Sequence, residues 1–352
     1  MDFAFKDEHI AFSDSIRKFL MVEAAPEWLR EIWETETGRS RELRGKLAEQ
    51  GLTALSVPEE FGGIGAGDLE WVLIHQELGY YAIPDSLIDT AYLATYLLNR
   101  LPAADASLKK TWLPKIADGS ARIAVGHPVN PMVADAQNAD LILMWHDDEV
   151  HALTKDQVKL SFNPSIDMSR RLYKVSWTPS EATRICPARL GKQLWDGVLD
   201  RAALAGAAQL VGLTQRMLDL GIDYSATRKQ FGKPIGSFQA VKHHLADVAV
   251  KAEFAKPVLY RAAYATEREQ ARRGVYVSHA KLAAGEAAWL GARKSMQVHG
   301  AMGYTWETDL QMFMKRAWAL DAAWGDRAFH KKRIADFILA DGARLGPGET
   351  FA

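Results

Sequence analysis

The chain has 352 residues, 48% of them apolar and 25% charged, and its 43 basic and 44 acidic side chains leave a formal net charge of -1. That balance excludes a strongly basic nucleic-acid surface, and the single Cys186 excludes an internal disulfide framework or a thiolate-rich metal cluster. No uninterrupted apolar run approaches the ~18 residues that read as a membrane span, and the opening MDFAFKDEHIAF lacks the basic-then-apolar order of a secretory signal. A cytoplasmic protein with more than one packed region is expected.

From the N-terminus, Asp7 is placed to cap a helix whose apolar positions Ile10, Ile16, Phe19 and Leu20 recur near helical spacing. Leu43, Leu47, Leu52 and Leu55 form a looser set that ends at the loop Val57-Pro58-Glu59-Glu60-Phe61-Gly62-Gly63. Two helical runs, Leu69 to Tyr81 and Leu87 to Leu101, are separated by Pro84, which interrupts the hydrogen-bond ladder. LPAADASL (101–108) reads as a surface turn before a short helix carrying Trp112 and Leu113. After Gly119 the runs become short and strand-like: ARIAVG, ADLILMW, EVHAL, VKLSF and RLYKVSW, as in a small antiparallel sheet region. From Leu194 the pattern is helical again, with one apolar face at Val241, Leu245, Val248, Ala252, Ala255, Leu259 and Ala262. A further long helix is expected from about Val275 to Val298, and shorter ones over 307–320 and 324–339, packed as a bundle. The resulting division is 1–119 helical, 120–193 β and 194–352 helical.

Several isolated features carry no chemistry of their own. His243 and His244 are adjacent, and neighbours in a helix point about 100° apart, so they make a poor chelate. Gly62-Gly63-x-Gly65-x-Gly67 follows no predicted strand and lacks a Walker-type GK[ST]. Cys186 has no CxxC partner, and the 11 tryptophans are dispersed rather than gathered into one cage.

Two segments are more informative. Thr227-Arg228-Lys229-Gln230-Phe231-Gly232-Lys233-Pro234-Ile235 joins two long helices and offers a guanidinium fork suited to a pyrophosphate or carboxylate, a flat ring and a permissive glycine. A basic helix end followed by a Gly-Pro turn explains it equally well. Met296-Gln297-Val298-His299-Gly300-Ala301-Met302-Gly303-Tyr304-Thr305 ends a long helix with two glycines and reads either as exposed backbone for a ligand or as a tight interhelical loop.

In this order, RKQFGKPIGSFQAVKHHLADV and QVHGAMGYTWE resemble the C-terminal domain of the flavin-dependent acyl-CoA dehydrogenase family. FKDEHIAFSDSIRKFL, GLTALSVPEEFGGIG and WLPKIADGSARIAVG resemble that family's first helix, its following loop and the entry to its β domain. The resemblance implies an acyl-CoA dehydrogenase-like fold: an α-helical N-terminal domain, a small antiparallel β middle domain and a C-terminal four-helix bundle. It also implies FAD lying between subunits, an acyl-CoA substrate oxidised between Cα and Cβ, and an electron-transfer flavoprotein as acceptor. Carried over residue by residue, Arg228 would meet the pyrophosphate of a neighbour's FAD and Phe231 its adenosine part, with Gln297, Gly300 and Gly303 lining the same region.

The departures from the family pattern fall at the chemistry. The Glu of a Tyr-Glu-Gly triplet corresponds to Trp324 in Ala323-Trp324-Gly325, and indole cannot act as the base. The alternative base position, near the start of the first long C-terminal helix, corresponds to Ala202. Asp200, Glu307 and Asp326 are the remaining candidate carboxylates. Gly126-His127-Pro128-Val129-Asn130-Pro131 replaces the family's flavin-binding Thr-Glu-Pro-x-x-Gly-Ser-Asp segment. GYTWETDLQMFMKRA resembles a subgroup acting on CoA thioesters of steroid side chains, built as heterotetramers of two long and two short subunits. The implied reading is the short subunit, without a catalytic residue of its own, completing an FAD site that it shares with a longer acyl-CoA dehydrogenase-like partner. Two alternatives stand beside it: a self-sufficient homo-oligomeric dehydrogenase with a relocated carboxylate base, and a non-catalytic CoA-binding or structural homologue. No metal, nucleic-acid or membrane partner is expected.

Overall fold

The computed structural model describes residues 5–102 and 106–349. In chain order the first helices are α1 (Asp7–Glu23), α2 (Pro26–Glu34), α3 (Arg41–Glu49) and α4 (Asp68–Tyr80). A π-helix (Ile88–Ala94) runs into α5 (Thr95–Asn99), and α6 spans Ala106–Ala117. The strands follow: β1 (Ile123–Gly126), β2 (Val133–Ala134), β3 (Leu141–His146), β4 (Glu149–Leu153), β5 (Lys159–Asn163), β6 (Leu172–Ser176) and β7 (Arg184–Cys186). The last part comprises α7 (Ala188–Thr227), a short hairpin of β8 (Lys229–Gln230) and β9 (Lys233–Pro234), α8 (Gln239–Glu267), α9 (Arg273–His299), α10 (Leu310–Ala322) and α11 (Arg327–Ile338). No helix among the described residues is long and apolar enough to cross a membrane. Of the expected 101–108 turn, 103–105 lie outside the described residues, and α6 already begins at Ala106.

Two compact units emerge, one of Met1–Glu23, Asp68–Ala82 and Ala203–Ala352, the other of Ala24–Gly67 and Ile83–Ala202. In the first, α1 opens with Asp7 and Glu8, which complement the helix dipole, and it buries His9, Ser13, Ile16 and Leu20 along one stripe. Between Ala203 and Val211, α7 is buried on all sides, as a central helix must be. It meets α4 backbone to backbone: a Cβ on Gly212 would lie 1.9 Å from the Gln76 carbonyl oxygen, and one on Gly79 would lie 2.3 Å from that of Gln209. α8 and α9 form a long antiparallel pair, and α8 buries Leu245, Val248, Ala252, Ala255, Leu259 and Ala262 from the expected apolar face.

In the second unit Ser40 caps α3 by accepting from the Leu43 N–H at 3.1 Å. All five expected strands are present, and β5–β6 and β3–β4 pair antiparallel. The β3–β4 hairpin turns on Asp147 and Asp148, both at positive φ (46° and 64°), a conformation that aspartate tolerates better than most residues. One pairing departs from the antiparallel expectation. β1 runs parallel to β3, with Ile123 opposite Leu141, because residues 127–140 carry the chain back to its starting end before β3 begins. The sheets β1-β3-β4-β7 and β2-β6-β5 share a core of Ala124, Val133, Ala136, Ala139, Ile142 and Leu153. Cys186 is buried and forms no disulfide among the described residues.

Charged groups are fixed inside this unit. Burial would raise the Asp85 carboxyl, but Arg44 at 2.6 Å and Arg122 at 3.1 Å hold it below the ordinary carboxylate range. Asp89, on the π-helix, goes the other way: desolvation raises it to about 7, helped by the negative Asp135 and opposed by Arg170 and Arg39. Its folded value lies above the unfolded one, so its stability contribution falls as pH rises from about 4 through 7. Asp89→Asn should therefore stabilise the protein by roughly 4 kcal/mol at pH 8 and change little at pH 4. Denaturant midpoints at both pH values measure this, and equal midpoints of the two proteins at pH 8 would rule out a neutral buried acid.

Candidate functional site

At the end of α7 the chain turns sharply. Arg228 donates its backbone N–H to the Tyr224 carbonyl at 2.9 Å and accepts from Ile235 N–H at 2.8 Å, which closes the loop around the β8–β9 hairpin. The hairpin's two central residues, Phe231 and Gly232, both have positive φ (52° and 78°), as a type I′ turn requires. Glycine suits that position, whereas a bulky aromatic there is an outlier. Phe231 is 89% exposed, and its ring meets the edge of Phe238 at a centroid distance of 6.0 Å. The Arg228 guanidinium is also exposed and holds no ion pair or side-chain hydrogen bond with another described residue. Gly236 is required by close approach: a Cβ there would lie 2.9 Å from Ser225 Oγ.

The second segment arrives at the same end of the bundle. α9 stops at Gly300, which has φ 60° and donates its N–H to the Gln297 carbonyl. A Cβ on Gly300 would meet nothing, whereas one on Gly303 would lie 2.8 Å from the Met296 carbonyl oxygen, so Gly303 lets the following turn fold onto the last turn of α9. His299 Nδ1 donates to the Ser295 carbonyl at 2.7 Å, and its ring stacks on Tyr224 at 4.3 Å. Ile235 and Val298 join Leu218, Leu245 and Val248 in one apolar cluster beneath both segments. Gln297 and Gly300 line an open cavity of about 730 Å³ whose other walls include His244, Trp289, Arg293 and Lys294. Lys294 Nζ donates to His244 Nδ1 at 2.9 Å and lies 3.5 Å from Asp247 Oδ2. Arg228 and Phe231 are not among the residues lining this cavity. Among the described residues no group of three or more His, Cys, Asp or Glu is placed to hold a metal ion.

The base positions are occupied by structure. Trp324 (φ 57°) and Gly325 (φ 94°) form a left-handed turn after α10. Lys281, only 2% exposed, donates from Nζ to the carbonyls of Leu320 at 2.8 Å and of Asp321 and Ala323 at 3.0 Å. The buried His330 donates from Nε2 to the Trp324 carbonyl at 3.1 Å, and its Nδ1 lies 3.0 Å from Ser278 Oγ. Burial and the Lys281 charge lower His330 to about 4, so the ring is neutral at pH 7. Asp326 serves as the N-cap of α11, accepting from Phe329 N–H at 2.8 Å. Glu307 is exposed in the turn before α10, while Asp200 and Ala202 are buried along α7. In the β-containing unit, His127 packs edge-on against Trp195 at 5.7 Å, and a Cβ on Gly126 would lie 2.2 Å from Met144 Sδ. Lys281 and Lys294 had no sequence signal, since a lysine in an alanine-rich helix reads as solvated.

Residues 6–120 match the model of the acyl-CoA dehydrogenase N-terminal domain, and residues 191–339 that of the C-terminal domain. The acyl-CoA dehydrogenase IpdE2 of Mycolicibacterium smegmatis is 34% identical over 88% of this chain and 92% of its own. This chain belongs to the acyl-CoA dehydrogenase family. Its fold is that of the ChsE4–ChsE5 complex from Mycobacterium tuberculosis (TM-score 0.86, 23% identity, 96% of this chain and 99% of that one). It is equally that of the Tcur3481–Tcur3483 steroid ACAD (TM-score 0.84, 22% identity, 96% and 99%). For a member of this family, the turn at Trp324 is thus a hydrogen-bonded structural element whose flanking carboxylates, Asp321 and Asp326, are engaged.

Proposed function

We propose that this chain is the short subunit of a heteromeric FAD-dependent acyl-CoA dehydrogenase acting on a bulky, steroid-derived acyl-CoA thioester. It would complete a partner's cofactor site and contribute no base of its own. The observation that carries this reading is the Trp324 turn, where Lys281 and His330 hold the backbone, an indole stands at the family's base position, and the flanking carboxylates are engaged, Asp321 with Arg327 and Asp326 as the cap of α11. The similarity to the solved ChsE4–ChsE5 and Tcur3481–Tcur3483 assemblies supports the heteromer, and the steroid ACAD supports the substrate class.

The residues fit one end of FAD and not the other. On the ADP side, Arg228 and Phe231 are exposed and unengaged by charge, and Gly300 leaves open space before Gln297. A guanidinium free to fork onto a diphosphate and a ring held out by its turn are groups that gain their partners on assembly. On the flavin side, the segment from Gly126 to Pro131 carries none of the family's Thr-Glu-Pro-x-x-Gly-Ser-Asp pattern, and its His127 packs edge-on against Trp195. FAD, when bound, would supply the hydride acceptor for oxidation of the thioester, with Arg228, Phe231, Gln297 and Gly300 of this chain the residues that would hold its ADP end. This chain's role is to grip the far end of the cofactor and help shut water out, while the longer subunit supplies the carboxylate that removes the α proton. An electron-transfer flavoprotein would reoxidise the assembled enzyme.

Arg228→Ala should cut flavin affinity of the assembled complex by about 10–100-fold, the worth of one charge-assisted contact, with subunit stoichiometry unchanged. Flavin absorbance per complex, read beside native mass, checks this. Full flavin occupancy in the variant would remove Arg228 from the site. A chain that purifies alone with one flavin per subunit and is reduced by acyl-CoA would instead establish a homo-oligomeric enzyme with a displaced base.

A further inference from the structure

We infer that the turn closing α10 is a binding site for a monovalent cation of ammonium or potassium size, which this chain fills with the tip of its own Lys281. The site belongs to neither recognised motif, and it stands whether or not the chain is a partner subunit.

Four backbone carbonyls converge on one point. Lys281 Nζ lies 2.8 Å from the oxygen of Leu320, 3.0 Å from those of Asp321 and Ala323, and 3.5 Å from that of Gly325. A carbonyl oxygen only accepts, so the three close contacts need three N–H groups, which an ammonium has and a neutral amine lacks. The fourth oxygen exceeds the number of donors, so the set gathers around a charge rather than around separate hydrogens. Leu320 and Asp321 lie in the last turn of α10, where the helix dipole favours a cation. Beyond it, the positive φ of Trp324 and Gly325 turns the chain back, and the Ala323 and Gly325 carbonyls reach the same Nζ. Asp321 gives its carbonyl to this cage and its carboxylate to Arg327, at 2.8 Å. With Lys281 only 2% exposed, these oxygens stand where the water shell of a free ion would be, as carbonyls do for potassium in a selectivity filter.

The lysine stem has its own passage. It runs from α9 past Gly206 of α7, where a Cβ would already touch Lys281 Cε at 3.4 Å. The stem and the charge can therefore be removed separately. Methionine at 281 ends where Cε now lies, which keeps the stem and empties the cage alone. Alanine empties both and leaves a void with the outline of propylammonium.

Thermal melts of the full-length protein test this, with ionic strength held constant by tetramethylammonium chloride, whose cation is too large for the cage. In Lys281→Met, potassium or ammonium chloride should raise the melting midpoint by about 3 °C or more between roughly 10 and 300 mM. Sodium, which is smaller and holds its water more tightly, should do much less. In Lys281→Ala, propylammonium should restore stability that n-propanol, of the same outline without the charge, does not. The wild type should respond alike to all the salts, because its site is taken. A variant too unstable to purify is refolded from denaturant in each salt, and the soluble yield then reads the same selectivity. Equal effects of sodium and potassium on Lys281→Met, or no response of either variant to any cation, overturns the inference and leaves the oxygens as hydrogen-bond acceptors for a lysine only. Potassium-specific stabilisation of the wild type equal to that of Lys281→Met also overturns it, by placing the ion elsewhere.

Discussion

Gly212→Ala should leave little soluble folded protein, with any that survives destabilised by more than about 3 kcal/mol. The added methyl would sit 1.9 Å from the Gln76 carbonyl oxygen and 2.7 Å from the Tyr80 amide nitrogen. Both atoms are helix backbone in α4, so relief comes only by parting two helices along their contact, which strips packing from a buried seam. Gly45→Ala is the matched control. That glycine lies inside α3, where a Cβ would meet nothing within 4 Å, so alanine should stabilise by about 0.5–1 kcal/mol through helix propensity alone. Denaturant melts of the three proteins decide the matter, and a Gly212→Ala protein with a near-normal midpoint would mean that the helices are not in backbone contact.

Acidification should weaken the helical unit steeply between pH 6.5 and pH 4. His330 is lowered to about 4 by burial and the charge of Lys281, and His75, buried and stacked on Trp71, is lowered by burial to about 3. Both folded values lie below the unfolded value of about 6.5, so on acidification the unfolded chain takes up protons that the folded chain refuses. Stability is full above pH 6.5 and is lost as pH falls, by about 3 kcal/mol for His330 and somewhat more for His75. Asp85 adds to the acid loss, while Asp89 acts in the opposite sense. Replacement isolates the effect: His75→Leu should flatten the unfolding midpoint against pH over this window, and an unchanged slope would show that His75 does not titrate as a buried neutral ring. Lys281→Met should in turn raise the His330 pKa, measurable by NMR titration.

The periodic parts of the fold are legible from sequence because side-chain pattern and burial coincide there. The face Val241 to Ala262, the Leu43–Leu55 set and the five short strands carry their own signal. What escapes is decided at a distance. β2 and β7 are too short to show a period, and the parallel β1–β3 pair depends on where residues 127–140 lead the chain. The π-helix at Ile88–Ala94 has no residue signature. At the candidate site, resemblance singles out Arg228, Phe231, Gln297, Gly300 and Gly303, but the reasons they are placed as they are lie outside the motifs. Phe231 occupies a left-handed turn that its own side chain disfavours, and Lys281 reaches carbonyls some forty residues away (its bonds are to Leu320, Asp321 and Ala323). Likewise His244 and Lys294 belong to different helices and meet only because α8 and α9 pair.

The Phe231 tip also bears on the life of the chain before assembly. A phenylalanine left 89% exposed, on a rigid two-residue turn that cannot fold it away, is the kind of surface that chaperones and proteases sample first. If its intended cover is another subunit's cofactor site, a cell that makes this chain in excess has no use for the surplus and every means to clear it. Abundance of the short subunit would then follow the supply of its partner, balancing the two chains without any regulator of their genes.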